Sequence, residues 1–159
     1  MTISVGDTIP SIPLVKVTPD GPDTVSSQDY FAGRTIALFA VPGAFTPTCS
    51  ARHLPGFVEH KDAILAKGVD EIACTSVNDA FVMAAWSKTA GAEGITMLAD
   101  GNAAFAEALG LAIDASKFGM GTRSARYAML VEDGVVKQLH VEAPGEFKVS
   151  SAEHLLSEM

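Results

Sequence analysis

Apolar positions along this chain fall into short runs separated by turn-forming residues. Ile36-Ala37-Leu38-Phe39-Ala40-Val41 is one such run, followed at once by Pro42 and Gly43, and it reads as a buried strand. Glu71 to Val77 (EIACTSV) and the stretch ITMLAD read as two more. Between them the period changes. Asn78-Asp79 caps a helix, AFVMAAWSKTA, in which Phe81, Val82, Ala85 and Trp86 recur at helical spacing until Gly91 stops it. NAAFAEALG is a short helix ended by Gly110. Further on, ARYAMLVE and VVKQLHVE flank Asp133-Gly134, a strong hairpin signal. SAEHLLSEM predicts a terminal helix capped by Ser150 or Ser151, and the residues before 30 read as a hairpin or an extended lead-in.

Strands alternating with helices imply an α/β fold with a mostly parallel mixed central sheet, right-handed crossovers and helices on its faces. The late hairpin adds antiparallel strands. No repeat, low-complexity tract or linker interrupts the pattern, so residues 1–159 read as one domain.

The loop after the first buried strand, VPGAFTPTCS, is rich in turn formers and carries Cys49 near its end. Cys49 to Leu54 read as the first turns of a helix that Gly56 to Lys67 continue, with Pro55 predicting a kink or break. Cys49 would then sit where unpaired N–H groups and the positive end of the helix dipole favour a thiolate. Cys74 lies between Ala73 and Thr75 inside an apolar strand and reads as an ordinary core residue.

Composition narrows the function classes. Apolar residues make up 48% of the chain, an ordinary globular value, and the net charge of −8 argues against a nucleic-acid partner. No apolar run approaches the roughly 18 residues of a membrane span. Two cysteines match neither a disulfide scaffold nor a zinc framework, so a reducing, cytoplasmic setting is expected. The start, MTISVGDTIPSIP, lacks the features of a secretory signal, and an organelle fits if a transit peptide has been removed. His60, His140 and His154 show no metal-ligand clustering, so no metal and no prosthetic cofactor is expected. Gly119-Met120-Gly121 lacks the strand-then-helix setting of a nucleotide loop and reads as a turn.

The stretch PGAFTPTC followed by SARHLPGF resembles the peroxiredoxins, whose signature runs Pro, three residues, Thr, two residues, Cys. Here those positions are Pro42, Thr46 and Cys49. The resemblance is closest to the type II, peroxiredoxin-5-like group and extends through SVNDAFVMAAW, DGNAAFAEALGL, GMGTRSARYAM and VEDGVVKQLHVE. It implies a thioredoxin-like fold and thiol-dependent reduction of hydrogen peroxide and alkyl hydroperoxides. Cys49 falls on the peroxidatic cysteine and Arg126 on the active-site arginine; Arg123, three residues earlier, is the weaker candidate, though spacing alone does not separate the two.

A thiolate is needed because it is the nucleophile that attacks a peroxide oxygen to give sulfenic acid. Ionisation alone achieves little. A free cysteine with a pKa of about 8.5 is roughly 3% thiolate at pH 7, so full ionisation gains about 30-fold. Lowering a thiol pKa by about three units costs roughly 15- to 30-fold in nucleophilicity at a Brønsted slope near 0.4–0.5. The rate must come from donors that polarise the O–O bond in the transition state. Thr46 is expected to offer its hydroxyl, Arg126 its guanidinium, and Thr48 and Cys49 their backbone N–H groups, while Pro42 shields the pocket from water. Gly43 and His53 are assigned with Thr48 to substrate binding, although His53 reads equally well as a residue on a solvated helix face.

Some relatives carry a resolving cysteine near the stretch that here reads GEFKVSSAEHLL, where this chain has Ser150 and Ser151. A one-cysteine cycle is therefore expected, recycled by glutathione with glutaredoxin or by thioredoxin. The resemblance also implies a homodimer, with Phe45, Phe81 and Phe118 as candidate contacts. A glutaredoxin-like oxidoreductase would want Cys-x-x-Cys, and Cys49 is followed by Ser-Ala-Arg. A non-catalytic redox sensor or holdase that uses Cys49 oxidation is the alternative from another class.

Overall fold

β3 (Thr35–Ala40) is the centre of the molecule in the computed structural model, which describes residues 2–159. Every residue from Ile36 to Val41 is fully buried. Alternation along the strand sends Ala37 and Phe39 to one core and Ile36, Leu38 and Ala40 to the other. That is why the run is apolar without a break: a strand covered on both faces has no polar side to present.

Around it stand β1 (Pro13–Thr18), β2 (Gly21–Ser26), β4 (Glu71–Ser76), β5 (Ile95–Ala99), β8 (Tyr127–Glu132) and β9 (Val135–Val141), in the order β2-β1-β5-β4-β3-β8-β9. Strands β3, β4 and β5 run parallel, and the remaining neighbours are antiparallel, so the parallel part of the mixed sheet is its central three strands. The N-terminal hairpin is β1–β2, and α1 (Ser27–Phe31) follows it. The β8–β9 hairpin turns on Asp133 and Gly134, both at positive φ, as expected of its Asp-Gly turn. This is a thioredoxin-like α/β fold with helices against the sheet.

The first core, on the Phe39 face, is covered by α2 (Leu54–Glu59), α3 (Lys61–Leu65), α4 (Ala80–Thr89) and α6 (Ala152–Ser157), through Leu54, Phe57, Ile64, Met83, Trp86 and Leu155. The second face is covered by α1 and α5 (Ala104–Leu109), through Phe31, Phe105 and Leu109. Asp79 caps α4 by accepting from the Val82 N–H, Gly110 ends α5 in the left-handed conformation, and Ser151, not Ser150, caps α6.

Three expectations change in detail. The buried residues of α4 are Ala80, Met83 and Trp86, while Phe81 is 74% exposed, so the helix is rotated from the face the apolar spacing suggested. Pro55 does not break the helix, which runs on through it to Glu59. A π-helical turn, Cys49–His53, precedes it, with the Leu54 N–H reaching back to the Cys49 carbonyl, and the break falls at His60, between α2 and α3. A ring that cannot sit against the carbonyl four residues earlier is accommodated by widening the preceding turn. Finally, Ala112–Asp114 (β6) and Thr122–Ser124 (β7) pair as a small separate sheet that the sequence pattern did not announce.

Candidate active site

The topology gathers the candidate residues at one end of the sheet. β3 ends there at Ala40, and the loop to Cys49 starts immediately beyond it. Antiparallel β8 begins at the same end, with Tyr127 paired to Ala40, which sets Arg126 beside the loop. β9 finishes there as well, and the Glu142 N–H donates to the Arg126 carbonyl over 2.9 Å.

Within the loop, local chemistry starts the helix at Pro47, two residues before Cys49. Thr46 is the cap: its carbonyl accepts from Ser50 N–H at 2.9 Å, and Pro47 occupies the first helical position, where its missing N–H costs nothing. Cys49 thus lies in the first turn, as expected. Thr46 Oγ1 donates to the Gly43 carbonyl at 2.7 Å. Its proton is committed there, so the donor role expected of it gives way to lone pairs that can accept. Asn78, at the end of β4, fixes the loop by accepting from the Ala44 N–H at 2.9 Å, and Trp86 Nε1 donates to Ser50 Oγ at 3.0 Å.

Arg126 meets the sulfur directly. Its Nη2 donates to Cys49 Sγ at 3.0 Å, and the thiol is fully buried. Arg123 does something else: Nε donates to the Met120 carbonyl at 2.9 Å and Nη1 to the Val77 carbonyl at 3.1 Å. Geometry separates the two arginines where spacing did not.

His53 is neither on a solvated helix face nor in the lining of the pocket. It is fully buried behind Arg126. Arg126 Nη1 and His53 Nδ1 are 2.9 Å apart, and a guanidinium only donates, so Nδ1 accepts. The ring proton therefore sits on Nε2, which donates to the Ser150 carbonyl at 2.9 Å. Burial, then the Arg126 charge, push the His53 pKa down to about 3, which keeps it in this neutral form. Residues 49 and 53 lie about one turn apart on the same helical face, and both reach the same guanidinium. Phe147 packs against the His53 ring, with centroids 5.0 Å apart, and carries the Arg126 guanidinium 5.9 Å above its own.

A pocket of about 420 Å³ opens onto this arrangement, with Pro42, Thr48 and Arg126 in its wall. Ile113, Ala115, Phe118, Ala125 and Pro144 supply an apolar side. Gly43 does not line it. Gly43 is buried, and a Cβ there would lie 3.1 Å from Thr46 Cγ2 and 3.3 Å from Arg123 Nη1, so its place is taken by the packing of the loop. Cys74 is fully buried in the same core as Cys49, and burial pushes its thiol pKa well up.

Sequence reasoning gave no role to Glu142, although it is the last residue of VEDGVVKQLHVE, one of the stretches on which the resemblance rests. Its Oε2 accepts from Lys148 N–H and Val149 N–H at 2.8 Å and from Ser150 N–H and Oγ at 2.7 Å. Among the described residues, no group of three or more His, Cys, Asp or Glu side chains could hold a metal ion, and no helix is long and apolar enough to cross a membrane.

A guanidinium on a buried thiol at the start of a helix, on a thioredoxin-like sheet, is an arrangement that can hold a thiolate beside a fixed hydrogen-bond donor. A family model described as Redoxin matches residues 4–156. Peroxiredoxin-2E-2, chloroplastic, from Oryza sativa subsp. japonica is 52% identical over 161 residues, spanning 98% of this chain and 72% of that protein. The crystal structure of reduced Prx3 from Vibrio vulnificus in complex with hydrogen peroxide has a TM-score of 0.96 at 52% identity, covering 99% of each chain. That of peroxiredoxin 5 from Alvinella pompejana has a TM-score of 0.86 at 38% identity, covering 98% of this chain and 96% of that one. The chain belongs to the peroxiredoxin family, and its reaction is the reduction of peroxides through a cysteine.

Proposed function

We propose that Cys49 is the peroxidatic nucleophile and that Arg126, Thr46, Pro42 and the backbone N–H groups of Thr48 and Cys49 form the pocket that activates the peroxide, within one domain spanning residues 1–159. The observation that carries this reading is the 3.0 Å contact between Arg126 Nη2 and Cys49 Sγ. The Cys49 thiolate attacks one peroxide oxygen. An S–O bond forms as the O–O bond breaks, and the second oxygen leaves with the electron pair as hydroxide or alkoxide and takes up a proton. Sulfur is oxidised by two electrons to sulfenic acid and the peroxide is reduced by two. Charge grows on the leaving oxygen only in the transition state, so donors fixed at that position lower the barrier without binding the ground state more tightly. Thr46, with its proton on Gly43, orients the peroxide by accepting its O–H. The apolar wall of Ile113, Ala115, Phe118 and Ala125 suits alkyl hydroperoxides as well as hydrogen peroxide.

Recycling is by an external thiol, glutathione with glutaredoxin or thioredoxin. A thiolate displaces the sulfenic oxygen as water, and a second thiol then releases Cys49 from the mixed disulfide. Cys74 is fully buried in β4 and serine stands at 150 and 151, which supports a cycle with no internal resolving thiol. No prosthetic group takes part. The exposed Phe45, Phe81 and Phe118, at 51%, 74% and 74%, are the surfaces through which a homodimer would form. The setting is a reducing compartment, the cytoplasm or an organelle; two relatives of this chain are named chloroplastic.

The test is peroxide-dependent oxidation of glutathione, with and without glutaredoxin, and of thioredoxin, for wild type and Cys49→Ser. Turnover with at least one reductant and none in Cys49→Ser is expected. A wild-type protein that consumes one equivalent of peroxide and then stops under every reductant would instead be a sensor.

A further inference from the structure

We propose that Glu142 is a positioning residue for peroxide reduction, acting on Arg126 through Ser150 and His53. This rests on the reading of Cys49 and Arg126 given above and adds a residue to which the sequence reading gave no role.

The hydrogen bonds close a ring. Arg126 Nη2 holds Cys49 Sγ at 3.0 Å, and Nη1 donates to His53 Nδ1 at 2.9 Å. His53 Nε2 donates to the Ser150 carbonyl at 2.9 Å, and the Ser150 N–H and hydroxyl both donate to Glu142 Oε2 at 2.7 Å. The Glu142 N–H then returns to the Arg126 carbonyl at 2.9 Å. The same residue therefore holds the backbone of Arg126 directly and its guanidinium through two intermediaries.

Each link has a defined direction. Glu142 is 8% exposed, and its Oε2 takes three successive backbone N–H groups and a hydroxyl. Burial works against its charge, but the bonds from Ser150, Lys148 and Val149 together outweigh it and hold the carboxyl below its usual range. Gathering those N–H groups on one oxygen fixes the segment 148–150, and with it the direction of the Ser150 carbonyl. That carbonyl demands a proton on His53 Nε2, which leaves Nδ1 free to accept. Arginine has a long, flexible side chain, and one nitrogen on His53 while the other is on sulfur leaves the guanidinium plane a single orientation.

A carboxylate that only closed the loop after β9 would matter for stability and not for chemistry. The two cases are separated by comparing peroxide reduction with alkylation of Cys49 by iodoacetamide, which needs the thiolate but no O–O polarisation. Glu142→Gln is expected to lower kcat/KM for hydrogen peroxide roughly 10- to 100-fold, the cost of a misplaced catalytic group, with alkylation changed by less than about threefold. His53→Leu should do the same, and the double variant should be no slower than the slower single one, because both break one chain of contacts. His53→Gln, which restores a donor and an acceptor, should recover part of the loss.

Wild-type peroxide kinetics in folded Glu142→Gln would overturn the proposal. So would peroxide reduction and alkylation falling together, or the two single effects multiplying in the double variant. Should Glu142→Gln not fold, Ser150→Ala removes only the hydroxyl bond to Oε2, and a loss of about two- to fivefold in the same ratio is expected; no loss overturns the proposal. Cys49→Ser keeps the two readings apart. If it still consumes peroxide, the nucleophile has been misassigned. If it is inert while Glu142→Gln is normal, only the relay fails.

Discussion

His53 accepts from Arg126: Nδ1 and Nη1 are 2.9 Å apart, with the imidazole fully buried and the guanidinium charged. A histidine so placed works only while it is neutral, because a proton on Nδ1 would set donor against donor. The site thus depends on a protonation state that burial and the Arg126 charge enforce.

This gives acid stability a sign. In the unfolded chain the ring takes up a proton near its ordinary pKa of about 6.5. In the folded chain it resists until about pH 3. Between those values the unfolded state binds more protons, so stability is complete above the upper one and is lost as pH falls, at up to about 1.4 kcal/mol per pH unit. Glu142, whose pKa is also depressed in the fold, adds a loss of the same sign at lower pH. Urea unfolding from about pH 7 to about pH 4.5 should show this decline, with a shallower slope in His53→Gln. A flat profile in the wild-type protein would contradict it.

Cys74 should be dispensable for turnover. Its thiol is fully buried in β4, where burial pushes its pKa well up and disfavours the thiolate. Cys74→Ser should keep peroxidase turnover with an external thiol within about twofold. It should lose about 1–3 kcal/mol of stability, since a hydroxyl replaces a group that needs no partner. A folded variant that accepts peroxide once and is not recycled would contradict this.

Gly43 acts through space. An added Cβ would press on Thr46 Cγ2 at 3.1 Å and on Arg123 Nη1 and Met120 Cε at 3.3 Å. These are side-chain atoms that can give way, so Gly43→Ala should cost only about 1 kcal/mol in stability, the low end of overpacking. Because Thr46 is the group displaced, kcat/KM for peroxide should fall several-fold. Thermal unfolding and steady-state kinetics on one preparation check both, and an unchanged kcat/KM would show that the loop tolerates the shift.

The elements with a strong period or a defined turn were legible from the chain: the buried β3, the Asp-Gly hairpin, the caps at Asp79 and Gly110, and the PGAFTPTC loop with its cysteine in a first helical turn. What stayed hidden lacks a local signal. β6 and β7 have three residues each, too few for an alternation to stand out. The π turn at Cys49–His53 leaves no period of its own. His53 was recognisable as close to Cys49 in sequence, but its burial depends on Ser150 and Phe147, which the last loop brings in from the far end of the chain. Glu142 is set by the register of β9 against β8, which no single stretch of sequence encodes. The rotation of α4, with Phe81 outward, puts Ala80 and Met83 on the buried face with Trp86, which bonds Ser50.

The central claim is that fixed dipoles at Cys49, with Arg126 foremost, act on the O–O bond beyond generating a thiolate. Stopped-flow rates for Arg126→Gln, with hydrogen peroxide and with iodoacetamide at a pH where the thiol is ionised, test it most directly. Peroxide reduction should slow by roughly 10²- to 10³-fold, as for loss of one preorganised donor, while alkylation changes far less. Equal slowing of both reactions would mean that Arg126 serves only to ionise the sulfur, and the polarisation account would be wrong.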